Sequence, residues 1–261
     1  MGKHKIFFSI VGIMAAVFLV AAVMVAVIAN KNVKAMNHCI DAALAELKKN
    51  HTVTPIAIGD YAEMKIMGPV KFRVEQYDIE ELGNLSVMRV NMGVMQMGTV
   101  VITPKHKNLP LLSADYMYIL GNRKCYLEFY DVVKEKDEPY QQLLAALSKV
   151  QSGYEHLENI RPSAAWYEHL LTVTSYKAGK SDVDGDLEGM LVDSICAYAE
   201  YAGQFPLLSE EEKAKKLAIT LEYTDGLIEK GGISTDVFKN ALGEAETKKF
   251  FDHVFFGTAV K

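Results

Sequence analysis

The hydropathy pattern changes twice along the chain. From Ile6 to Ala29 no residue is charged, and only Ser9 and Gly12 interrupt the apolar run. As a helix rising about 1.5 Å per residue, those 24 positions reach roughly 36 Å, enough to cross a ~30 Å hydrocarbon core with some tilt. A secretory signal has a shorter apolar stretch, so the run reads as an uncleaved anchor; Val27-Ile28-Ala29 keeps a cleaved signal as the alternative. Lys3 and Lys5 flank one side and Lys31, Lys34, Lys48 and Lys49 the other. This near balance leans slightly toward a cytoplasmic body on a single-pass protein. The expected organisation is an anchor over residues 1–34 and one domain over residues 35–261.

Val33–Asn50 returns Met36, Ile40, Ala43 and Leu47 at helical spacing. The period then shortens. Met64–Met67, Lys71–Tyr77, Leu85–Met92, Thr99–Thr103, Asp115–Leu120 and Lys124–Val133 are strand candidates, separated by intervals mostly too short for crossover helices. Gly121-Asn122 signals a tight hairpin. In the last run Cys125, Leu127 and Phe129 share one face, while Tyr126, Glu128 and Tyr130 make the other both aromatic and polar. Beyond Val133 the pattern is helical: Glu138–Val150, Ala164–Val173, Asp186–Tyr201, a helix opened by the capping box Ser209-Glu210-Glu211-Glu212, a short one capped by Ser234 or Thr235, and Glu244–Phe256. Strands first and helices afterwards predict an α+β domain, a central antiparallel sheet flanked by helices as an α/β/α sandwich.

A net charge of −5 and a pI near 5.8 argue against a nucleic-acid protein, which needs a basic face. Cys39, Cys125 and Cys196 form no CxxC pair, and the seven histidines are scattered, so no metal site is expected. No dinucleotide fingerprint, phosphate loop, nucleophile elbow or zinc-protease motif occurs, and no tightly bound cofactor is expected.

One segment carries candidate chemistry. Val100–Pro104 ends a strand, Lys105–Asn108 is a polar link, and Leu109-Pro110-Leu111-Leu112-Ser113-Ala114-Asp115 opens the next strand. A carboxyl facing an apolar pocket holds its proton toward neutral pH and can act as an acid. The other reading of Asp115 is a cap for the turn after Pro110.

This segment resembles the signature of the ferredoxin-dependent bilin reductases, in which an L-P-x-x-x-x-D stretch delivers a catalytic aspartate over the bilin; Leu109, Pro110 and Asp115 match it. Val237–Glu244, then Phe251–Phe256 and Gly257, is similar to that family's closing helix and ending. The resemblance implies an oxidoreductase that reduces a linear tetrapyrrole with electrons from an external ferredoxin, Asp115 supplying protons. It also implies cations for the propionates: Lys230 lies near a segment that approaches them, and Arg89 is placed in the same slot because residues 85, 87, 89 and 91 share a face. Asn91 and Ser234 complete the expected substrate contacts. The chain departs from the family's phycocyanobilin branch, whose glutamate and histidine fall near Asn91 and near Met97 or Gly98. A second family acid is replaced by Gly231, Gly232 and Ile233, with Asp236 nearest. These losses keep open a non-catalytic, membrane-anchored protein that binds a tetrapyrrole or another small apolar ligand.

Overall fold

The computed structural model describes the backbone of residues 2–133 and 135–259, and side chains from residue 16 onward except Lys134, Ile233, Ser234 and the last two. A single helix, α1 (Gly2–Asn50), contains the apolar run and continues without a break across the expected boundary at residue 34. Its first part is exposed where described, but Ala29, Asn32, Met36, Cys39, Ile40, Ala43 and Leu47 are buried at helical spacing. The C-terminal half of α1 is therefore a core element of the domain. Part of α1 is also the one helix among the described residues that is long and apolar enough to cross a membrane.

The sheet contains β1 (Val53–Ile56), β2 (Glu63–Met67), β3 (Val70–Ile79), β4 (Gly83–Asn91), β5 (Met95–Pro104), β6 (Leu111–Ile119), β7 (Asn122–Tyr130), β8 (Glu158–Asn159) and β9 (Leu171–Gly179). Its order is β1-β3-β4-β5-β6-β7-β9-β8, with β2 paired to β3, and every pairing is antiparallel. The six expected strands all form. The expectation of a helix over Ala164–Val173 is corrected: Trp166 and Tyr167 lie in a turn, a short 3-10 segment follows, and the chain enters β9 at Leu171. Val173, Ser175 and Lys177 alternate inward there, a period of two that outweighs the four-residue spacing of Trp166 and Leu170.

Helices cover both faces. α1, α2 (Glu138–Ser152) and α3 (Asp184–Ala202) bury Leu85, Val87, Val100, Ile102, Leu112, Ala114, Leu127 and Phe129. On the other face α4 (Glu210–Lys230), α5 (Ile233–Leu242), α6 (Glu244–Phe250) and the π turn Phe251–Phe255 pack on Phe72, Val74, Met88, Val90, Val101, Leu111 and Tyr130. The Ser209–Glu212 capping box forms as the sequence predicts, whereas α5 is capped by Gly232. Gly98 lets α1 lie close to the sheet: a Cβ there would stand 2.7 Å from Ile40 Cδ1.

A buried polar clamp fixes the point at which α1 meets the sheet. Arg123 donates to both carboxylate oxygens of Asp184 (2.6 and 3.1 Å) and to Asn32 Oδ1 (2.9 Å), and its guanidinium lies 4.2 Å from the Tyr118 ring centroid. Asn32 in turn donates to Gln96 Oε1 and to the Leu120 carbonyl.

Candidate functional site

Asp115 lies in the middle of β6, between Thr99 of β5 and Tyr126 of β7. Alternation along β6 sends Leu112, Ala114, Tyr116 and Tyr118 toward α1 and α3, so Ser113, Asp115 and Met117 face the side of the C-terminal helices. Asp115 does not cap the turn after Pro110. Instead Thr99 Oγ1 donates to its Oδ1 (2.6 Å) and Ser113 Oγ to its Oδ2 (3.4 Å). Burial pushes its carboxyl from the ordinary 3.8 up to about 6; the two hydroxyl donors lower it, and the charge of Glu128 raises it further. The residue as a whole is half-buried.

Register builds the surroundings row by row. Thr99, Asp115, Tyr126 and Tyr176 stand side by side across four strands. One row on lie Val101, Ser113, Glu128 and Thr174; two residues the other way lie Met97, Met117, Lys124 and Ala178. Met97, Met117, Tyr126, Glu128, Thr174 and Tyr176 are all half-buried, so this face of the sheet is partly exposed around Asp115. Cavities of about 300 and 480 Å³ exist elsewhere, one between Pro104 and α4 and one on the α1 side.

Glu128 accepts hydrogen bonds from Tyr130 (2.5 Å) and Tyr176 (2.9 Å). Burial raises the phenols of Tyr126, Tyr130, Tyr167, Tyr176 and Tyr223, all of which stay neutral at physiological pH. Tyr130 packs against Tyr223 of α4 (4.6 Å between centroids) and Tyr167 (5.7 Å), and Tyr167 meets Trp166 edge-on. The Trp166 indole donates to the Gly231 carbonyl (3.0 Å), and Gly226 makes room for it, since a Cβ there would lie 2.3 Å from Trp166 Cη2. These rings form an aromatic wall beside two carboxyls.

The other expected site residues divide between the two faces. Lys230 lies on the Asp115 side, its ammonium 4.5 Å from the Trp166 ring centroid. Arg89 and Asn91 are not brought together with Asp115. They do share a face with Leu85 and Val87, but it is the face under α1, where Arg89 pairs with Asp41 and Glu75 (2.6 Å each). Asn91 accepts from Gly93 N (3.0 Å) and Gln96 Nε2 (3.1 Å), shaping the β4–β5 hairpin. The side chain of Ser234 lies outside the described residues. Asp236 is exposed, and its carboxylate lies against Gly231.

Three residues on this face were not among the expected ones. Glu128 was visible only as part of a polar and aromatic strand face. Lys124 stands on the Asp115 face by register, diagonal to Asp115 through Met117. Tyr176 belongs to β9, which begins inside the stretch expected as a helix and runs beyond it.

No family model matches the chain, and no curated protein matches it by sequence. Among solved structures it is similar to phytochromobilin synthase from tomato in complex with biliverdin, with a TM-score of 0.68 at 14% identity, over 86% of this chain and 85% of that one. At that identity the two chains share a fold, the antiparallel sheet between two helical layers.

Proposed function

We propose that the chain is a membrane-anchored oxidoreductase that reduces a linear tetrapyrrole, taking electrons one at a time from a ferredoxin-type donor and protons from Asp115. The observation that carries this reading is Asp115 itself: a carboxyl that burial raises to about 6, on a partly exposed sheet face flanked by tyrosine and methionine side chains. The biliverdin complex of the similar fold supports the choice of ligand. A flat conjugated ligand suits a sheet floor with a ring wall, because stacking and apolar burial act over the whole plane. Lys124 and Lys230 stand on this face as cations for its carboxylates, as point charges that require no bidentate geometry.

The proton path is short. Asp115 gives its proton to the reduced ligand and is left as a carboxylate, held by the Thr99 and Ser113 hydroxyls. It is reprotonated between electron transfers. The carboxyl of Glu128, already occupied by two phenols, orients the wall, and its charge adds to the burial that keeps Asp115 protonated.

A second reading, a non-catalytic binding protein, is favoured by the positions near which the family's glutamate and histidine fall. Asn91 faces away from Asp115, and Gly98 has no room for a side chain beneath α1. A titration of biliverdin into the full chain in detergent, followed by visible absorption, tests both. Either tetrapyrrole reading predicts a shifted and sharpened spectrum at one equivalent; an unchanged spectrum removes the reductase and any tetrapyrrole-binding reading, leaving only binding of another apolar ligand.

A further inference from the structure

We propose that the end of the domain from which α1 emerges rests on the lipid surface, with three hairpin tips inserted among the headgroups. The inference builds on the reading of α1 as a membrane anchor. Outside α1, the exposed large apolar side chains among the described residues are Met67 (48%), Val94 (53%), Leu120 (40%) and Leu207 (53%). The first three occupy the turns β2–β3, β4–β5 and β6–β7.

Register places those turns at one end of the sheet. Phe72 pairs with Val90, so the Met67–Val70 turn lies level with the end of β4. Leu120 N donates to the Val94 carbonyl (3.0 Å), and the Leu120 carbonyl accepts from Asn32 of α1 (2.7 Å). Leu207 lies at the opposite end, where Leu208 N meets the His106 carbonyl beyond β5.

The spacing along α1 gives the depth. The apolar run ends at Ala29, three residues before Asn32. At a rise of about 1.5 Å per residue, the level of Leu120 is within about 5 Å of the hydrocarbon boundary, which is inside a headgroup layer roughly 5–7 Å thick. The Arg123 clamp joins α1, α3 and the β6–β7 turn, so this offset is fixed rather than set by a flexible linker. Leu120 also takes a φ of +53°, a conformation that suits Gly or Asn in a turn. That backbone cost is the same in either medium, whereas the exposed leucine side chain gains by leaving water for lipid. Exposed Lys31, Lys34 and Lys124, with Lys180 bonded to Asn122 beside the Leu120 tip, supply cations for anionic headgroups. The Met97 and Met117 row leads from the tips to Asp115.

Spin labels on the full chain in phosphatidylcholine–phosphatidylglycerol vesicles test this. Val23→Cys, Val94→Cys, Leu120→Cys and Leu207→Cys are labelled one at a time on a Cys196→Ser background, the other two native thiols being buried. The expected ratio of oxygen to nickel-chelate accessibility is several-fold higher at 23, 94 and 120 than at 207. If 94 and 120 match 207 while 23 reads as lipid, the docking is wrong and the anchor stands. If 23 also reads as water, the anchor fails and the docking with it.

Discussion

Asp115 owes its properties to three neighbours and one register. Thr99 and Ser113 donate to it, Glu128 lies diagonally across on β7, and burial outweighs the donors. A carboxyl whose folded value (about 6) exceeds its ordinary one (3.8) binds more protons folded than unfolded. Its contribution to stability is therefore complete below pH 3.8 and is lost as pH rises through about 6. Asp115→Asn is expected to be about 1–2 kcal/mol more stabilising at pH 8 than at pH 4, measured by denaturant unfolding in detergent at both values. Equal effects at the two pH values would mean that the carboxyl is fully solvated. Asp115 could be found in the sequence because Leu109-Pro110 marks a strand entry five residues before it. Arg89 was given the wrong face for a specific reason. Alternation correctly groups it with Leu85 and Val87, but only pairing through β5 reveals that this group lies under α1.

Among the elements, the aromatic wall depends on one glycine. Gly226→Ala would drive a Cβ into Trp166, displacing the indole and breaking its bond to Gly231. Trp166 is the chain's single tryptophan, so the displacement is expected as a red shift of its emission, and unchanged emission would place the ring elsewhere. Buried Lys216 of α4 donates to the carbonyls of Leu109 (2.8 Å) and Val132 (2.9 Å), tying that helix to the turn before β6 and to the exit of β7. Desolvation lowers its ammonium to about 7. Lys216→Met leaves two buried carbonyls without that donor, and a loss of about 1–3 kcal/mol is expected in the same unfolding measurement. The β-meander and the capped α4 were readable because short-range periodicity and turn chemistry specify them. β9 was not, because its alternating residues are polar or small and its place beside β7 is a long-range pairing.

For the whole molecule, the apolar segment of α1 and the domain form one mechanical unit. The sequence showed an apolar run and an amphipathic helix as neighbours; their fusion into α1 follows from the absence of any Gly or Pro between Ala29 and Val33. Arg123 holds that unit at the sheet. Arg123→Ala removes one partner of a buried pair and is expected to cost about 3 kcal/mol, with local loosening of α1 seen as faster amide exchange around Asn32. Unchanged exchange there would mean that α1 is held by apolar packing alone.

The central claim is that Asp115 passes a proton to a reduced tetrapyrrole. It is tested most directly by anaerobic turnover of biliverdin with a ferredoxin reducing system, comparing the full chain with its Asp115→Asn variant. The expected result is biliverdin binding within a few-fold of the parent, with turnover reduced by about 10²–10⁴-fold. Turnover by the variant at the parental rate, or binding without turnover by the parent chain, would contradict it.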